Sequence, residues 1–161
     1  MLKVAVVGLG WWGRIIVGLL KESGKLRPLI GVDIVSGSAS DFCRQSGLEY
    51  CDEFGKILQD PRIEGVILCT PHSQHCGQIV RAAGAGKHVF CEKPLSLTRT
   101  DVLKAVSACN ANRVALAVGH ERRFEPPVLE LFRLAAGGAL GTLLQVEANF
   151  SQDKLDRKSV V

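Results

Sequence analysis

The chain has 161 residues, of which 47% are apolar and 22% charged; this composition is typical of a globular domain with a buried core and excludes a disordered chain. The net charge of +4 is mild, and Lys and Arg alternate with Asp and Glu instead of clustering. We therefore expect no nucleic-acid partner. No apolar run is long enough to cross a bilayer, so we expect no membrane partner either.

Six cysteines occur without a CxxC pair or a spacing typical of metal ligands, at positions 43, 51, 69, 76, 91 and 109. Several fall inside predicted strands and helices, where a free Cys behaves as a small buried hydrophobe. Residues 4–20 superficially resemble a secretory signal, but three glycines and Arg14 interrupt the apolar run, and no small-residue cleavage site follows. We expect reduced thiols and a cytoplasmic protein.

Short apolar runs alternate with amphipathic segments along the chain. In chain order we predict strand 3–8, helix 12–24, strand 26–33, helix 38–47, strand 48–51, helix 53–60, strand 65–70, helix 73–86, strand 88–92, helix 98–112 and strand 114–120. The first strand, KVAVVG, is continuously apolar, which is typical of a strand buried on both faces. The alternation predicts a parallel sheet covered by helices on both sides, the α/β doubly wound class.

The first strand-to-helix turn reads GLGWWG, which places Gly8, Gly10 and Gly13 in the GxGxxG spacing. Between a predicted strand and a predicted helix, this pattern is typical of a Rossmann-type dinucleotide-binding turn. Gly8 would permit the tight turn, Gly10 the approach of a pyrophosphate, and Gly13 close packing of helix and strand. Three turn glycines without a ligand are the alternative. Trp11 and Trp12 are expected to pack beside the turn, and Trp12 is also a candidate cofactor contact.

Asp33 ends the second predicted strand, 20 residues after Gly13. An acidic side chain at this place accepts hydrogen bonds from the ribose hydroxyls of adenosine and repels a 2′-phosphate. The following residues, IVSGS, offer no Arg to hold such a phosphate. We therefore predict NAD as the cofactor, with NADP less favoured. A solvated Asp at a strand end is the alternative interpretation.

Three further segments stand at or near predicted strand ends: TPHSQH (70–75), AGKHVFCEKPLSLT (85–98) and VGHERRF (118–124). Together with the glycine turn and Asp33, and in this order, they resemble the glucose–fructose oxidoreductase / inositol dehydrogenase (Gfo/Idh/MocA) family. The resemblance extends over essentially the whole chain, and the Glu-Lys-Pro element is its most specific part.

The resemblance implies roles for the Glu-Lys-Pro element. Glu92 would lie near the nicotinamide ribose, and Lys93 would be the catalytic residue that reaches the substrate hydroxyl. Lys93 is counted among the cofactor-binding residues as well. Pro94 would aim both side chains, and we expect a cis Lys93–Pro94 bond. The alternative is a surface ion pair at a strand end, which contributes little energy.

The other two segments carry further candidates by the same resemblance. Thr70, Pro71 and His75 would border the dinucleotide. In VGHERRF the family has a polar residue near the cofactor and an Arg that directs its charge to the site; the matching residues are His120, Arg122 and Arg123, with Arg122 taken as the cofactor-binding one. Glu121 departs from the more frequent Asn of the family, and a solvated helix start is the alternative for Arg122.

A metal site is a different interpretation of the first of these segments. Imidazole and thiolate bind zinc, so His72, His75 and Cys76 invite it. No fourth ligand has a suitable spacing, and the neighbours His75 and Cys76 would diverge on a helix. We predict no metal.

Residues 143–151, LLQVEANFS, alternate apolar and polar side chains, which predicts a half-buried strand of an antiparallel sheet. By resemblance this is the first strand of a second, α+β domain that binds substrate and mediates oligomerisation. We therefore divide the chain into a dinucleotide-binding domain at 1–122 and, at 123–161, a linking helix with the start of a truncated second domain. We also expect a homo-oligomer.

The resemblance implies an NAD-dependent oxidoreductase that acts on the CH–OH group of a small sugar or polyol and is represented here by its nucleotide-binding part. We expect this part alone to be inactive. A non-catalytic dinucleotide-binding module, such as a redox sensor or a truncated pseudoenzyme, is the alternative. A structural or partner-binding domain is a third possibility, since fold does not determine function.

Overall fold

The structure is a computed structural model that describes residues 1–149, and it contains the predicted alternation of strands and helices. The strands are β1 (Leu2–Val7), β2 (Leu26–Val32), β3 (Glu49–Cys51), β4 (Gly65–Leu68), β5 (His88–Glu92) and β6 (Leu116–Gly119). The helices are α1 (Trp11–Lys21), α2 (Ser36–Ser46), α3 (Phe54–Gln59), α4 (His72–Gly84), α5 (Arg99–Ala111) and α6 (Pro126–Ala136), with a 3-10 turn at Glu121–Phe124 before α6.

The six strands form one sheet in the order β3-β2-β1-β4-β5-β6, and every neighbouring pair is parallel. The chain moves outwards from β1 to β3 and then returns to place β4 on the other side of β1. The loops that follow β1 and β4 therefore leave the sheet in opposite directions and open a crevice at its carboxyl edge. The predicted doubly wound Rossmann-type fold is confirmed.

The apolar runs of the central strands explain why helices cover both faces of this sheet. Along β1, Ala5 and Val7 pack into one core cluster, while Val4 and Val6 pack into the other, as the two-residue period of a strand requires. Residues of α3, α4 and α5 complete the first cluster, and residues of α1 and α2 complete the second. No helix within residues 1–149 is long and apolar enough to span a bilayer.

The chain divides into two compact units, Met1–His120 and Glu121–Val161. In the second unit, residues 143–149 have no regular secondary structure, so the strand predicted at 143–151 is not formed there. Residues 150 and 151 lie outside the described part of the chain. The physical reason is that an extended segment becomes a strand only when a neighbour pairs with its backbone N–H and C=O groups, and alternating side chains supply no such neighbour.

Candidate cofactor site

The turn between β1 and α1 has the geometry that its three glycines predict. Gly8 has φ +90°, and a Cβ there would lie 2.7 Å from the carbonyl oxygen of Cys69. A Cβ on Gly13 would overlap the carbonyl oxygen of Gly8, so the helix packs directly on the turn. A Cβ on Gly10 would meet only open space. Gly8 and Gly13 are therefore demanded by close packing, whereas Gly10 leaves room for a ligand.

Helix α1 begins directly after Gly10, and no side chain within residues 1–149 caps it. A helix start of this kind, behind a glycine turn, is suited to an anion because backbone N–H groups and the positive end of the helix dipole meet there. Trp12 is half-buried at this point, with its ring centroid 5.6 Å from that of Trp11. Its indole Nε1–H is buried without a hydrogen-bond partner among the described residues.

Asp33 follows β2 and is tied to the glycine turn by its side chain. One carboxylate oxygen accepts a hydrogen bond from the backbone N–H of Leu9 at 2.7 Å, and the other from that of Val35 at 2.9 Å. The Tyr50 hydroxyl donates to the Asp33 carbonyl at 2.8 Å. These bonds fix the carboxylate beside the turn.

A groove of about 560 Å³ extends from Gly8 and Asp33 across the carboxyl edge of the sheet. The apolar side chains of Ile34 and Val35, 86% and 63% exposed, stand on the β2 side, and Pro71 stands on the β4 side. Exposed apolar walls around a few polar groups are typical of small-molecule sites, and the volume suits an adenosine.

Helix α4 contributes polar side chains to this groove that sequence reasoning did not identify. The Thr70 hydroxyl donates to Oε1 of Gln78 at 2.6 Å, and Nε2 of Gln78 donates to Oε1 of Gln74 at 3.2 Å. One turn further, the guanidinium of Arg81 lies over the ring of Phe54, 5.0 Å from its centroid. The spacing of positions 74, 78 and 81 on one helix face was the available signal.

Arg14 is a further residue that sequence reasoning did not identify. It comes from α1 and lines a smaller groove of about 480 Å³ on the other side of Asp33. Its Nε donates to the Leu9 carbonyl at 2.9 Å, and its Nη2 lies 3.2 Å from both the carbonyl and the hydroxyl oxygen of Ser38. A cation is therefore present near Asp33, although the segment IVSGS that directly follows it contains none.

The Glu-Lys-Pro turn leaves β5 at the same edge of the sheet. Glu92 is buried, and its Oε2 accepts a hydrogen bond from the Lys93 backbone N–H at 3.2 Å. Lys93 is exposed, and the Lys93–Pro94 bond is cis, as predicted. Because β4 and β5 are parallel neighbours, this turn and the loop after β4 emerge side by side.

Two cysteines lie beside this turn, and neither is a nucleophile at neutral pH. Burial, and then the nearby Glu92 carboxylate and Cys91, raise the pKa of the Cys69 thiol to about 12. Burial and then Glu92 raise the pKa of Cys91 to about 12 as well. The thiolate is the reactive form of Cys, so both side chains act as apolar packing groups.

The remaining sequence-derived candidates occupy different surroundings. Thr70 and Pro71 line the larger groove. His75 is fully buried, with its ring nitrogens 2.9 Å from the carbonyl oxygens of Pro94 and Thr70. Arg122 belongs to the second unit, where its guanidinium lies 3.7 Å from the carboxylate of Glu125. Within residues 1–149, no group of three or more His, Cys, Asp or Glu side chains is placed to hold a metal ion.

Comparison with known proteins agrees with this geometry. The model of the oxidoreductase family with an NAD-binding Rossmann fold, GFO_IDH_MocA, matches residues 2–120. The scyllo-inositol 2-dehydrogenase (NAD(+)) of Bacillus subtilis (strain 168) is 34% identical over 141 residues, which cover 86% of this chain and 41% of that protein. The myo-inositol 2-dehydrogenase of Thermotoga maritima is 30% identical over 142 residues, which cover 87% of this chain and 42% of that protein.

A solved structure has the same fold. The scyllo-inositol dehydrogenase of Lactobacillus casei, crystallised with bound NAD(H) and scyllo-inositol, superposes with a TM-score of 0.82 at 25% identity, over 88% of this chain and 42% of that one. The chain thus spans about two fifths of the length of these relatives. Because the family model matches most of the chain, from the glycine turn through the Glu-Lys-Pro turn, the chain belongs to the Gfo/Idh/MocA oxidoreductase family, as its motifs indicated.

Proposed function

We propose that this chain is the cofactor-binding part of an NAD-dependent oxidoreductase that acts on a CH–OH group of a sugar or polyol. The observation that carries the proposal is the placement of an exposed lysine, Lys93, at the carboxyl edge of the sheet, beside a glycine turn and groove suited to a dinucleotide. Ligands of open α/β sheets bind at this edge, so a substrate brought to Lys93 would lie close to the cofactor. The inositol dehydrogenases among the relatives support the substrate class.

The residues present fit a dinucleotide. Gly10 leaves open space at the start of α1 for the pyrophosphate, and Gly8 and Gly13 make the turn around it. The fixed carboxylate of Asp33 would accept hydrogen bonds from the adenosine ribose, with the adenine between Val35 and Pro71. When bound, the nicotinamide would supply the hydride acceptor of the reaction.

NAD is the preferred cofactor in this proposal. A 2′-phosphate would face the Asp33 carboxylate, and the repulsion would outweigh the attraction of Arg14, whose guanidinium is already engaged by the Leu9 carbonyl and by Ser38. Removing the carboxylate would lower that repulsion.

Lys93, as the neutral amine, would accept the proton of the substrate hydroxyl as the carbon is oxidised to a carbonyl, and the ammonium group formed in this way would donate a hydrogen bond to that oxygen. Glu92 is held against the Lys93 backbone and would face the nicotinamide ribose. Thr70 and Pro71 would border the dinucleotide from the loop after β4, and Trp12 from the glycine turn. In the whole protein, Arg122 would direct its charge to the site, as the family resemblance implies.

The test begins with calorimetric titration of the 161-residue chain with NAD and with NADP. We expect saturable NAD binding and binding of NADP that is weaker by at least about tenfold, since one lost charge-assisted hydrogen bond is worth this much. Failure to bind either dinucleotide would overturn the proposal.

Catalysis is tested separately. The chain alone would hold a substrate from one side, and orientation from one side contributes little to the rate acceleration. We expect the chain alone to bind NAD with negligible turnover on inositols or glucose, and a full-length protein to turn over one of them. Replacement Lys93→Met in the full-length protein should abolish turnover while NAD binding remains measurable by calorimetry. A full-length protein that binds NAD and oxidises no polyol would instead support the non-catalytic binding module.

We further propose that the whole protein is a cytoplasmic homo-oligomer. All six cysteines are free, which suits a reducing compartment, and the oligomer follows from the family resemblance. Light scattering on the full-length protein would contradict this if it gave the mass of a monomer.

A further inference from the structure

One buried polar ring bridges the two loops that carry the proposed site. His75 lies in the second turn of α4 and is 0% exposed. Its Nδ1 is 2.9 Å from the carbonyl oxygen of Pro94, and its Nε2 is 2.9 Å from the carbonyl oxygen of Thr70. Both ring nitrogens therefore face backbone oxygens, and the two oxygens belong to different loops.

The two loops have distinct tasks in the proposed function. Thr70 follows β4, and its side chain lines the larger groove. Pro94 is joined directly to Lys93 at the end of β5. The backbone pairing of β4 with β5 ends at Leu68 and Cys91. Thr70 and Lys93, the positions that matter for the chemistry, come after these residues and are not held by that pairing. The imidazole of His75 connects them beyond the end of this ladder.

A buried polar side chain lowers stability unless its hydrogen bonds are made, and an apolar ring of the same size would fill the core without that cost. The carbonyl oxygens of Thr70 and Pro94 can only accept, so each bond requires a proton on the ring nitrogen that faces it. A neutral imidazole carries one proton and makes one of the bonds at a time, whereas the doubly protonated ring makes both. The bonds, and not the volume of the ring, are what histidine contributes at this position.

We propose that His75 is a positioning residue, which holds the turn bearing Lys93 in a defined place relative to the dinucleotide groove through these two carbonyls. The inference rests on the proposed function, because it takes the groove as the cofactor site and Lys93 as the group that meets the substrate. In this proposal the fully buried His75 would touch neither cofactor nor substrate, in place of the direct contact with the dinucleotide that the family resemblance implies. It would act through Pro94 on one side and through Thr70 on the other.

Three substitutions separate the two bonds. His75→Phe keeps a planar ring in the core and removes both ring nitrogens. His75→Asn places an amide nitrogen where Nδ1 lies and so retains the bond to the Pro94 carbonyl. His75→Gln places one where Nε2 lies and retains the bond to the Thr70 carbonyl. His72→Phe is the matched control, since His72 is exposed on the same helix with its ring centroid 5.8 Å from that of His75.

The measurements are ¹H–¹⁵N spectra of the labelled 161-residue chain and calorimetric titration with NAD. In His75→Phe we expect the amide signals of Lys93 and Leu95 to broaden or double, and NAD affinity to fall by about tenfold, the effect of one net hydrogen bond on the groove. In His75→Asn the Lys93 and Leu95 signals should stay single while NAD affinity falls. In His75→Gln the Lys93 and Leu95 signals should broaden or double, while NAD affinity stays near that of wild type. His72→Phe should match wild type in both.

If His75 only stabilises the fold, all three variants should have a lower melting temperature, and His75→Asn and His75→Gln should not differ in amide signals or NAD affinity. This result would overturn the proposal. The proposal would also be overturned if His75→Phe gave the same spectra as wild type and bound NAD with an affinity within twofold of wild type. If His75→Phe does not fold, the comparison of Asn with Gln decides. If wild type binds no NAD, the proposed function fails, while the amide signals of Lys93 and Leu95 still show whether His75 holds the turn.

Discussion

The carboxylate of Glu92 occupies the space that a side chain on Gly119 would fill. The two residues are register partners on β5 and β6, and an ideal Cβ on Gly119 would lie 2.7 Å from Oε1 and 2.9 Å from Cδ of Glu92. A glycine at the end of β6 thus lets a buried carboxylate lie across the neighbouring strand, beside the turn that carries Lys93.

Replacement Gly119→Ala should displace this carboxylate without unfolding the chain, because a glutamate side chain can rotate away from an added methyl group. We expect the NAD affinity to fall by about tenfold, and the loss of folding stability to stay near 1 kcal/mol. Calorimetry and urea unfolding measure the two effects. The control is Gly18→Ala on α1, where a Cβ meets open space; it should stabilise the helix slightly and leave NAD binding unchanged. Equal NAD affinity in both variants would contradict the prediction.

The second and third glycines of the turn, Gly10 and Gly13, should respond differently to the same substitution. Gly13→Ala places a methyl group on the backbone oxygen of Gly8, which cannot move away freely, so we expect a loss of stability of about 2–4 kcal/mol. Gly10→Ala adds a methyl group in open space and should keep the wild-type melting temperature. NAD binding should nevertheless fall in Gly10→Ala, because the methyl group would stand where the pyrophosphate approaches. Thermal unfolding and calorimetry on both variants check this, and a Gly10→Ala chain with undiminished NAD affinity would contradict it.

Replacement Asp33→Ala should narrow the preference for NAD over NADP. NAD would lose its ribose hydrogen bonds, and NADP would escape the repulsion of a carboxylate. We expect the ratio of the two affinities to change by about tenfold to a hundredfold. Asp41→Ala is the matched control: Asp41 is an exposed acid on α2, paired with Arg44, and its removal changes the net charge equally. A ratio that changes as much in Asp41→Ala as in Asp33→Ala would assign the effect to general electrostatics.

Alkaline pH should destabilise the fold through its buried thiols. Unfolded Cys loses its proton near a pKa of about 8.5, whereas folded Cys91 keeps it to about 12. Between these values the folded state binds more protons, so stability falls as pH rises, by about 1.4 kcal/mol per pH unit for each such thiol. Below pH 8 this contribution to stability is fully present.

The measurement is the free energy of unfolding in urea between pH 8 and 10.5. In Cys91→Ala the free energy of unfolding should fall less steeply with pH, and the difference in slope should correspond to about one proton. Val89→Ala, a buried position on the same strand, removes volume without a titrating group and should leave the slope unchanged. Identical slopes in wild type and Cys91→Ala would show that this thiol does not contribute.

Local patterns in the sequence were enough to predict every strand of the sheet within a few residues. Continuous apolar runs such as 65–68 mark strands that are buried on both faces, and glycines punctuate the turns between them. The prediction of a strand at 143–151 was wrong over residues 143–149. Side-chain alternation records only a preference for a half-buried surface, and a strand also needs a partner for its backbone.

The fold class, the glycine turn and the strand-end position of Asp33 could be predicted from the sequence, because each depends on residues that are neighbours in the chain. The cis bond at Pro94 was expected from the family resemblance. Three contacts between distant groups became visible in the folded chain alone: Arg14 near Asp33, Glu92 against Gly119, and His75 between two loop carbonyls. These contacts arise from the order of strands in the sheet, which brings together residues far apart in the chain. Their geometry depends on packing at distances of about 3 Å, which no sequence spacing encodes.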